Sequence, residues 1–422
     1  MTKLSTQPLK GFRDLYPEDF ALQKWMFDKF RETVQQYGYQ EYEGPILEPK
    51  DLYAAKSGEE LVREQTFLLD DRGGRTLALR PELTPTLARM VARKRFDIPI
   101  PIRWFSIGPR FRYEAPQKGR GREFYQMDVD LVGVSSPIAD AEILALALQF
   151  LGSLGVTKKD VVMKINNKKQ MQQKLSGLKL SSDGLVGVFR AIDRRDKMDS
   201  AKWYAYLEST GLSGNQTEQL KKILDDQNIV SEELKKTVSI LNEMGFNGWF
   251  EYDPTVVRGL EYYTGTVFEV RDRKGKFRAL AGGGRYDNLV EMFDTEPLSG
   301  IGFACGDMVL MELLNELNIL PDLKLTSSTV LVSVFNNELA KQSLSLANQL
   351  RNKNISTELS PDPTVKLDKQ LKYADRKNIP YVIIIGPDEQ VNNQLLLKDM
   401  KKKSQQNIGQ KEFLADPQQY LQ

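Results

Sequence analysis

Hydrophobic positions near the start of the chain follow first the spacing of a helix and then that of strands. In residues 18–37, EDFALQKWMFDKFRETVQQY, apolar side chains recur every three to four positions, which predicts an amphipathic helix. An extended segment interrupted by Pro45 follows. Residues 101–114 and 123–134 then predict two strands, which the polar, glycine-containing loop APQKGRGR joins.

Between about residues 168 and 248 the strand pattern disappears. Lys, Gln, Leu and Ser dominate there, and the apolar residues keep helical spacing. Strand patterns return afterwards, in segments such as GKFRALAGGGRYD and GIGFACG. We therefore interpret residues 168–248 as a helical insertion into the surrounding domain.

The last hundred residues show a different pattern of predicted elements. A linker, PDLKLTSS, is predicted at residues 321–328. Beyond it, strands such as TVLVSVF and PYVIIIG alternate with helices in the order β-α-β-α-β. This alternation predicts a small α/β domain around a largely parallel sheet. The fold prediction is thus an α+β domain with a helical insertion, followed by an α/β domain.

Length and composition indicate the number of domains and the cellular compartment. With 422 residues, the chain is long enough for two or three domains, and its net charge of +2 gives no general attraction to nucleic acid, although local patches stay open. Cys305 is the sole cysteine, which excludes an intramolecular disulfide and fits a reducing compartment. No signal-like or membrane-length apolar run occurs, so we expect a soluble, cytoplasmic protein without a membrane partner.

The chain contains no histidine at all. A Ser-His-Asp triad, a Cys-His nucleophile and a histidine-based zinc site are therefore excluded. Any chemistry must use carboxylates, Arg, Lys, Tyr, backbone groups or a hard cation held by oxygen atoms.

Polar residues gather on the predicted hairpin. Period-2 alternation places Arg112 and Glu114 on one face of the first strand, and Gln126, Asp128 and Asp130 on one face of the second. A solvated sheet face would explain this pattern, because antiparallel sheets often expose one polar face. A binding site would explain it equally well, since both strands direct charged and amide groups to one region.

Two further segments have polar or glycine-rich patterns. In LRPELTPT, Glu82 and Thr84 could accept hydrogen bonds from an ammonium group, or they could lie on a solvated turn. In AGGGRYD, residues 281–287, three glycines allow a ligand or another strand to approach the backbone. The spacing matches neither a phosphate loop nor a dinucleotide fingerprint.

The segment VVRGLEYYTGTVFEV combines an arginine with paired tyrosines at the start of a predicted strand. Arg258 suits a phosphate or carboxylate, and Tyr262 and Tyr263 suit a flat polar ring. Together with the acids and amides above, these groups fit an α-amino acid plus a nucleotide. The residues alone take the inference no further.

Several of these segments resemble one family. FRYEAPQKGRGREFYQMDVDLVG is similar to motif 2 of the class II aminoacyl-tRNA synthetases, and RGLEYYTGTVFE followed by AGGGRYD resembles the signature of the histidyl-tRNA synthetases. KGFRDLYPED, the helix and strand around Pro45 (like motif 1) and LRPELTPTLAR match in the same order. The resemblance extends from Lys10 into the C-terminal domain, which resembles the class IIa anticodon-binding module.

The resemblance implies an architecture and a reaction. Residues 1–325 would form a class II catalytic domain around an antiparallel sheet, with the insertion at about 168–248, and residues 326–422 an α/β anticodon-binding domain. L-histidine would attack the α-phosphorus of ATP, with Mg²⁺ on the phosphates, to give histidyl-adenylate and pyrophosphate. The terminal ribose hydroxyl of tRNA(His) would then take the histidyl group. A homodimer across motif 1 is also implied.

The resemblance also implies roles for individual residues. The histidine-binding residues, which contact the α-ammonium, the carboxylate or the imidazole, would be Glu82, Thr84, Arg112, Gln126, Asp130, Arg258, Tyr262 and Tyr263. Asp130 stands where some members carry glutamate. Arg112 and Arg258 would bind the α-phosphate of ATP from opposite sides and act in catalysis. Glu114 would contact the adenine, and Gln117 the acceptor end of the tRNA.

One motif departs from the family pattern. In GIGFACGDMVLMELL, Val309 occupies the position where motif 3 normally offers an arginine to ATP, and Asp307 and Met308 precede it. This departure also fits a catalytically silent paralogue, the regulatory subunit of ATP phosphoribosyltransferase. That paralogue is expected to lack the C-terminal module, which this chain has. The lack of histidine has two open explanations, translation during histidine starvation and compositional drift.

Overall fold

The computed structural model describes residues 4–54, 64–195, 198–257, 262–288, 290–323 and 328–421. The chain forms two compact units, Met1–Pro321 and Asp322–Gln422. The boundary between the units falls in the predicted linker, of which residues 324–327 lie outside the described part. No helix in the described ranges is long and apolar enough to cross a membrane.

The strands form two main sheets and one small sheet. In chain order they are β1 (Gln40–Glu41), β2 (Leu47–Pro49), β3 (Leu68–Asp70), β4 (Thr76–Leu79), β5 (Ile102–Phe111), β6 (Glu123–Val132), β7 (Val161–Asn167), β8 (Phe250–Tyr252), β9 (Thr266–Asp272), β10 (Ala281–Tyr286), β11 (Gly300–Gly306), β12 (Val330–Val332), β13 (Thr357–Leu359), β14 (Tyr381–Ile384), β15 (Gln394–Asp399) and β16 (Ser404–Gly409).

Helices connect and cover these strands. In chain order they are α1 (Pro17–Gln36), α2 (Lys50–Ala54), α3 (Thr84–Arg93), α4 (Pro137–Ser153), α5 (Lys168–Ser176), α6 (Ser182–Asp193), α7 (Ser200–Ser209), α8 (Gly214–Asp225), α9 (Glu232–Glu243), α10 (Asp307–Glu316), α11 (Ala340–Asn352), α12 (Leu367–Arg376), α13 (Pro387–Val391) and α14 (Gln410–Ala415). Short 3-10 turns occur at Val290–Phe293 and Pro417–Gln419.

The large sheet of the first unit has the strand order β1-β5-β6-β11-β10-β9-β7-β8. Pairing is antiparallel from β5 through β7, as expected, but the two edge pairs, β1 with β5 and β7 with β8, are parallel. The predicted antiparallel sheet is therefore a mixed sheet. A parallel pair requires a long crossover connection, and helices α5 to α9 provide one between β7 and β8.

The core lies on one face of this sheet. Helices α1 and α4 pack there, and the ring of Phe30 contacts Phe150 and Phe105 at centroid distances of 5.0 and 6.0 Å. Along β6, Met127 and Val129 turn toward this core. Because side chains alternate along a strand, the intervening polar residues of β6 face the opposite side of the sheet.

Two strand boundaries differ from the predicted ones. Strand β5 ends at Phe111, so Arg112 and Glu114 lie beyond it, where the amide of Glu114 donates a 2.8 Å hydrogen bond to the carbonyl of Arg112. This tight local turn ends the strand. Strand β9 begins at Thr266, and the tyrosine pair therefore precedes the ladder instead of alternating within it.

The helices between β7 and β8 have their own core. Trp203 lies at its centre with Leu207 and Val188, and the indole N–H of Trp203 donates a 2.8 Å hydrogen bond to the carbonyl of Ala191. The side chain of Lys168, at the start of α5, lies against the sheet cleft described below. The segment thus has its own core and also reaches the cleft.

The second unit is built around a five-stranded sheet of order β13-β12-β14-β15-β16. The pairs β13–β12 and β12–β14 are parallel, but the pairs β14–β15 and β15–β16 are antiparallel. The prediction of a largely parallel sheet is therefore wrong for half of the pairings. A short connection at residues 400–403 joins β15 to β16, and strands joined so tightly must run in opposite directions.

Candidate active site

A large cleft opens on the polar face of the eight-stranded sheet, with a volume of about 1540 Å³. Strand β6 forms part of its floor, and the loop between β9 and β10, the first turn of α10 and helices α5 and α6 contribute to its walls. Pockets for one small ligand usually hold about 300–1,000 Å³. The cleft therefore has room for two ligands side by side.

The cleft brings together most of the residues that the sequence singled out. Those that line it are Glu82, Thr84, Arg112, Glu114, Gln126, Asp128, Asp130, Tyr262 and Tyr263. Gln117 lies instead on the exposed tip of the β5–β6 loop, where its backbone pairs with that of Arg120. Arg258 lies outside the described residues.

Glu82 and the tyrosine pair form one end of the cleft. The hydroxyl of Tyr262 donates a 2.9 Å hydrogen bond to Oε2 of Glu82, and both side chains are buried. The rings of Tyr262 and Tyr263 lie 4.8 Å apart. Burial, followed by the charge of Glu82, raises the pKa of Tyr262 well above its ordinary value. The phenol therefore stays protonated and fixes the orientation of the Glu82 carboxylate.

Asp130 lies on the floor beside this end. Its Oδ1 accepts a 2.7 Å hydrogen bond from the hydroxyl of Tyr286. Burial, with a smaller contribution from the charge of Asp128, raises the pKa of Asp130 to about 7. Gly302 stands opposite Asp130 in the ladder, and a Cβ there would lie 2.2 Å from Oδ1. Tyr286 and Gly302, which β10 and β11 supply, were not among the predicted site residues.

The raised pKa of Asp130 predicts that the free energy of unfolding depends on pH. A carboxylate with a pKa near 7 when folded and near 3.8 when unfolded opposes folding increasingly as the pH rises between these values, and its penalty is constant above 7. Asp130→Asn removes the penalty and keeps an acceptor for Tyr286. We expect the stability of the variant relative to the wild type to increase by about 2–3 kcal/mol from pH 5 to pH 8, as measured by urea unfolding.

Asp71 provides the control for this experiment. It is an aspartate whose pKa is lowered by hydrogen bonds from Arg75, so it stays ionised from pH 5 to pH 8. Asp71→Asn should therefore change stability by the same amount at every pH in this range. A pH-independent effect of Asp130→Asn would show that Asp130 does not titrate near neutrality.

A buried ion pair lies on the cleft face of the sheet. Nη2 of Arg110 donates to Oδ2 of Asp128 at 2.7 Å, and both side chains are almost inaccessible to solvent. Burial raises the pKa of Asp128, and the Arg110 charge opposes this increase. Asp128 thus lines the cleft while it is paired with buried Arg110. Arg110 was not among the predicted site residues, although alternation along β5 places it on the same face as the cleft residues.

Arg112 and Glu114 begin the β5–β6 loop. Nε of Arg112 donates a 2.9 Å hydrogen bond to the carbonyl of Pro81, and its guanidinium carbon lies 5.3 Å from the centre of the Phe124 ring. The carboxylate of Glu114 forms an ion pair with Arg120, in the same loop. Arg112 is thus held between two segments of the cleft wall.

The AGGGRYD segment, strand β10, is part of the scaffold. A Cβ at Gly283 would lie 2.0 Å from the carbonyl oxygen of Gly302, and one at Gly284 would lie 2.9 Å from the ring of Tyr263. The neighbouring strand and a cleft tyrosine therefore require these two glycines. Arg285 is buried against Asp140, with Nε 2.9 Å from Oδ1.

The first turn of α10 presents apolar side chains to the cleft, those of Met308 and Val309. Asp307 precedes them and is buried, where it accepts hydrogen bonds from Nε2 of Gln23 at 2.8 Å and from the amide of Tyr125 at 3.0 Å. It also forms an ion pair with Arg13. The helix start is thus anchored to the N-terminal segment, and it contributes no cation to the cleft.

Acidic side chains in the described part of the chain do not group as a metal site. No cluster of three or more Asp, Glu or Cys side chains within those ranges could hold a metal ion. Four carboxylates of the cleft are instead engaged by neighbouring side chains: Glu82 by Tyr262, Asp130 by Tyr286, Asp128 by Arg110 and Glu114 by Arg120.

The fold corresponds to that of the class II aminoacyl-tRNA synthetases. Residues 11–308 match the family model described as histidyl-tRNA synthetase, and residues 329–416 match the model described as anticodon binding domain. The chain belongs to the histidyl-tRNA synthetase family.

Individual relatives agree with this assignment over nearly the whole chain. A histidine–tRNA ligase of Leptospira biflexa is 38% identical over 419 residues, which cover 96% of this chain and 95% of that protein. The chloroplastic/mitochondrial histidine–tRNA ligase of Arabidopsis thaliana is 37% identical and covers 92% of this chain and 82% of its own length. A crystal structure of histidyl-tRNA synthetase from Nostoc sp. PCC 7120 superimposes with a TM-score of 0.77 at 26% identity, covering 99% of this chain and 100% of that one.

Proposed function

We propose that the protein is a histidine–tRNA ligase, which activates L-histidine with ATP and transfers the histidyl group to tRNA(His). The observation that carries the proposal is that Glu82, Asp130 and Arg112 line one cleft. An acid for an ammonium group, an acid beside aromatic rings and a cation for a phosphate are the groups that this pair of substrates requires.

The histidine would occupy the end of the cleft near the tyrosines. Glu82, Thr84 and Gln126 accept hydrogen bonds from its α-ammonium, because their polar side chains line the same cleft. Asp130 accepts a hydrogen bond from an imidazole N–H, and Tyr262 and Tyr263 enclose the ring. Since Tyr286 holds Oδ1 of Asp130, Oδ2 is the oxygen that we assign to the imidazole.

The ATP would bind beside it, with its α-phosphate at Arg112. We assign Arg258 to the opposite side of this phosphate and to the histidine carboxylate, and Glu114 to the adenine. The carboxylate attacks the α-phosphorus directly, and the tRNA hydroxyl then attacks the activated carbonyl. Neither step needs a nucleophile from the protein; both depend on positioning and on cations that stabilise charge on the phosphates. A chain without histidine can therefore perform them.

Mg²⁺ is the expected companion of ATP in this reaction. The described residues form no cage of three carboxylates, so the cleft does not fit a metal ion held by protein ligands alone. Mg²⁺ commonly binds through substrate phosphates with few protein ligands. We therefore propose that it arrives on the ATP, and we assign no protein ligand to it.

The remaining parts of the chain would serve the tRNA. We assign anticodon binding to the second unit, because residues 329–416 match the anticodon-binding model, and the acceptor end to the loop that carries Gln117. We assign the helices α5 to α9 to an insertion in the catalytic domain. The buried thiol of Cys305, the sole cysteine, fits the reducing cytoplasm, where we place the reaction.

The small sheet β2-β4-β3 supports a homodimer. Exposed apolar side chains on and beside it include Ile46, Leu47, Leu68 and Leu69. Contiguous exposed apolar groups commonly mark protein interfaces. The sheet includes the segment that resembles motif 1, and we propose that two copies associate there.

Histidine-dependent exchange of pyrophosphate into ATP tests the proposed activity. We expect the pure protein to catalyse exchange with L-histidine and not with threonine, proline or glycine. Val309 also fits a silent regulatory paralogue, but the anticodon-binding match argues against that function. Absence of exchange in a folded protein that still binds histidine would favour the regulatory reading.

A further inference from the structure

The cleft needs cations for the β- and γ-phosphates of ATP, and the first turn of α10 supplies none. Met308 and Val309 line the cleft at this point with apolar side chains. Arg112, assigned to the α-phosphate, is one cation for a polyanion that carries several charges. A further positive group near α10 would complete the site.

Arg278 lies beside that turn. It belongs to the loop between β9 and β10, and its side chain lines the same cleft as Val309. The loop is attached to the strand that leads into α10: Ala281 pairs with Cys305, and the Cys305 thiol donates a 3.2 Å hydrogen bond to the carbonyl of Leu280. The backbone of Arg278 is thus held close to the start of α10.

Neighbouring cations of the cleft are already paired. Arg271 forms an ion pair with Glu269 at 2.8 Å, Lys276 pairs with Glu316 at 2.7 Å, and Arg120 pairs with Glu114. Arg278 has no ion-pair partner within the described ranges. Partial desolvation in the cleft and then the like charge of Arg112 lower the pKa of Arg278, and the charge of Glu269 opposes this shift. Two guanidinium groups that repel one another across a cleft form a favourable site for an anion that bridges them.

We propose that Arg278 binds the β- and γ-phosphates of ATP and stabilises the pyrophosphate leaving group, a role that α10 cannot perform with Val309. The inference rests on the proposed ligase function and adds a residue to its mechanism. It adds a third phosphate-binding arginine, with Arg112 and Arg258 at the α-phosphate and Arg278 at the leaving group.

Pyrophosphate exchange with Arg278→Gln tests the proposal. Because a charge-assisted contact is lost, we expect the KM values for ATP and for pyrophosphate to increase by about 10-fold or more. The KM for histidine and the Kd for AMP should stay within about twofold of the wild type, since neither ligand carries β- or γ-phosphates. Arg278→Lys should retain part of the lost affinity, because it restores the charge without the guanidinium geometry.

Arg273→Gln is the matched control. Arg273 lies in the same loop but is directed away from the cleft, where its guanidinium donates to the carbonyls of Lys158 and Gly248 at 2.7 and 3.0 Å. We expect its KM values to match those of the wild type. Unchanged KM values for ATP and pyrophosphate in Arg278→Gln, or an equal loss of AMP binding, would overturn the inference. No exchange in the wild type would instead reject the ligase function itself.

Discussion

Arg112→Ala is expected to lower the rate of histidyl-adenylate formation by about 10²–10³-fold, as is typical when one preorganised group facing transition-state charge is removed. The loss should appear in kcat as well as in kcat/KM, because the guanidinium acts on charge that develops at the α-phosphate. Single-turnover formation of the adenylate is the direct measurement. The fold should persist, since Arg112 lies beyond the end of β5 and outside the hydrophobic core of the sheet.

Arg103→Ala is the control for this variant. Arg103 lies on the same strand, β5, but pairs with Glu142 on α4, away from the cleft. We expect its adenylation rate to match that of the wild type. If Arg112→Ala formed the adenylate at near-normal rates, Arg112 would be removed from the mechanism.

Glu82→Ala is expected to lower kcat/KM for histidine by at least about 100-fold, because it leaves the α-ammonium without its charged acceptor in a buried site. The KM for ATP should change little, since Glu82 is assigned to the α-ammonium of histidine and not to a phosphate. Steady-state exchange with each substrate varied in turn separates the two effects.

Tyr262→Phe shows whether the orientation of the Glu82 carboxylate matters in addition to its charge. The variant removes the hydroxyl that donates to Oε2 and leaves the ring in place. We expect a smaller loss, of about 10-fold in kcat/KM for histidine, because the carboxylate remains but its orientation is less fixed. An equal effect of Glu82→Ala on both substrates would indicate a general structural disturbance rather than loss of histidine binding.

The fold could be predicted from sequence where the determinants are local. Helix α1 and the β5–β6 hairpin follow from periodicity within 20 to 35 residues. The parallel edge pairs β1–β5 and β7–β8 could not be predicted, because they depend on connections that run through distant parts of the chain. Strand β16 was missed for a different reason: its first four residues are polar and exposed on both faces, so it shows no hydrophobic alternation.

The site, like the fold, could be predicted from sequence only in part. Alternation along β6 predicted that Gln126, Asp128 and Asp130 share a face, and all three line the cleft. The groups that tune these acids were not visible, because Tyr286 and Gly302 come from β10 and β11, more than 150 residues away along the chain. Periodicity identifies the face that a side chain occupies, but it does not identify the partner across a non-local ladder.

The pairing of β6 with β11 also has a consequence for synthesis on the ribosome. Gln126–Val132 finds its neighbour only when Gly300–Gly306 has emerged, so nearly three-quarters of the chain must be made before the cleft floor closes. Until then β6 has an open edge in a nascent chain, which is a hazard for non-native pairing. Substrates cannot stabilise the partly made unit during this interval, because the floor on which histidine would rest does not yet exist.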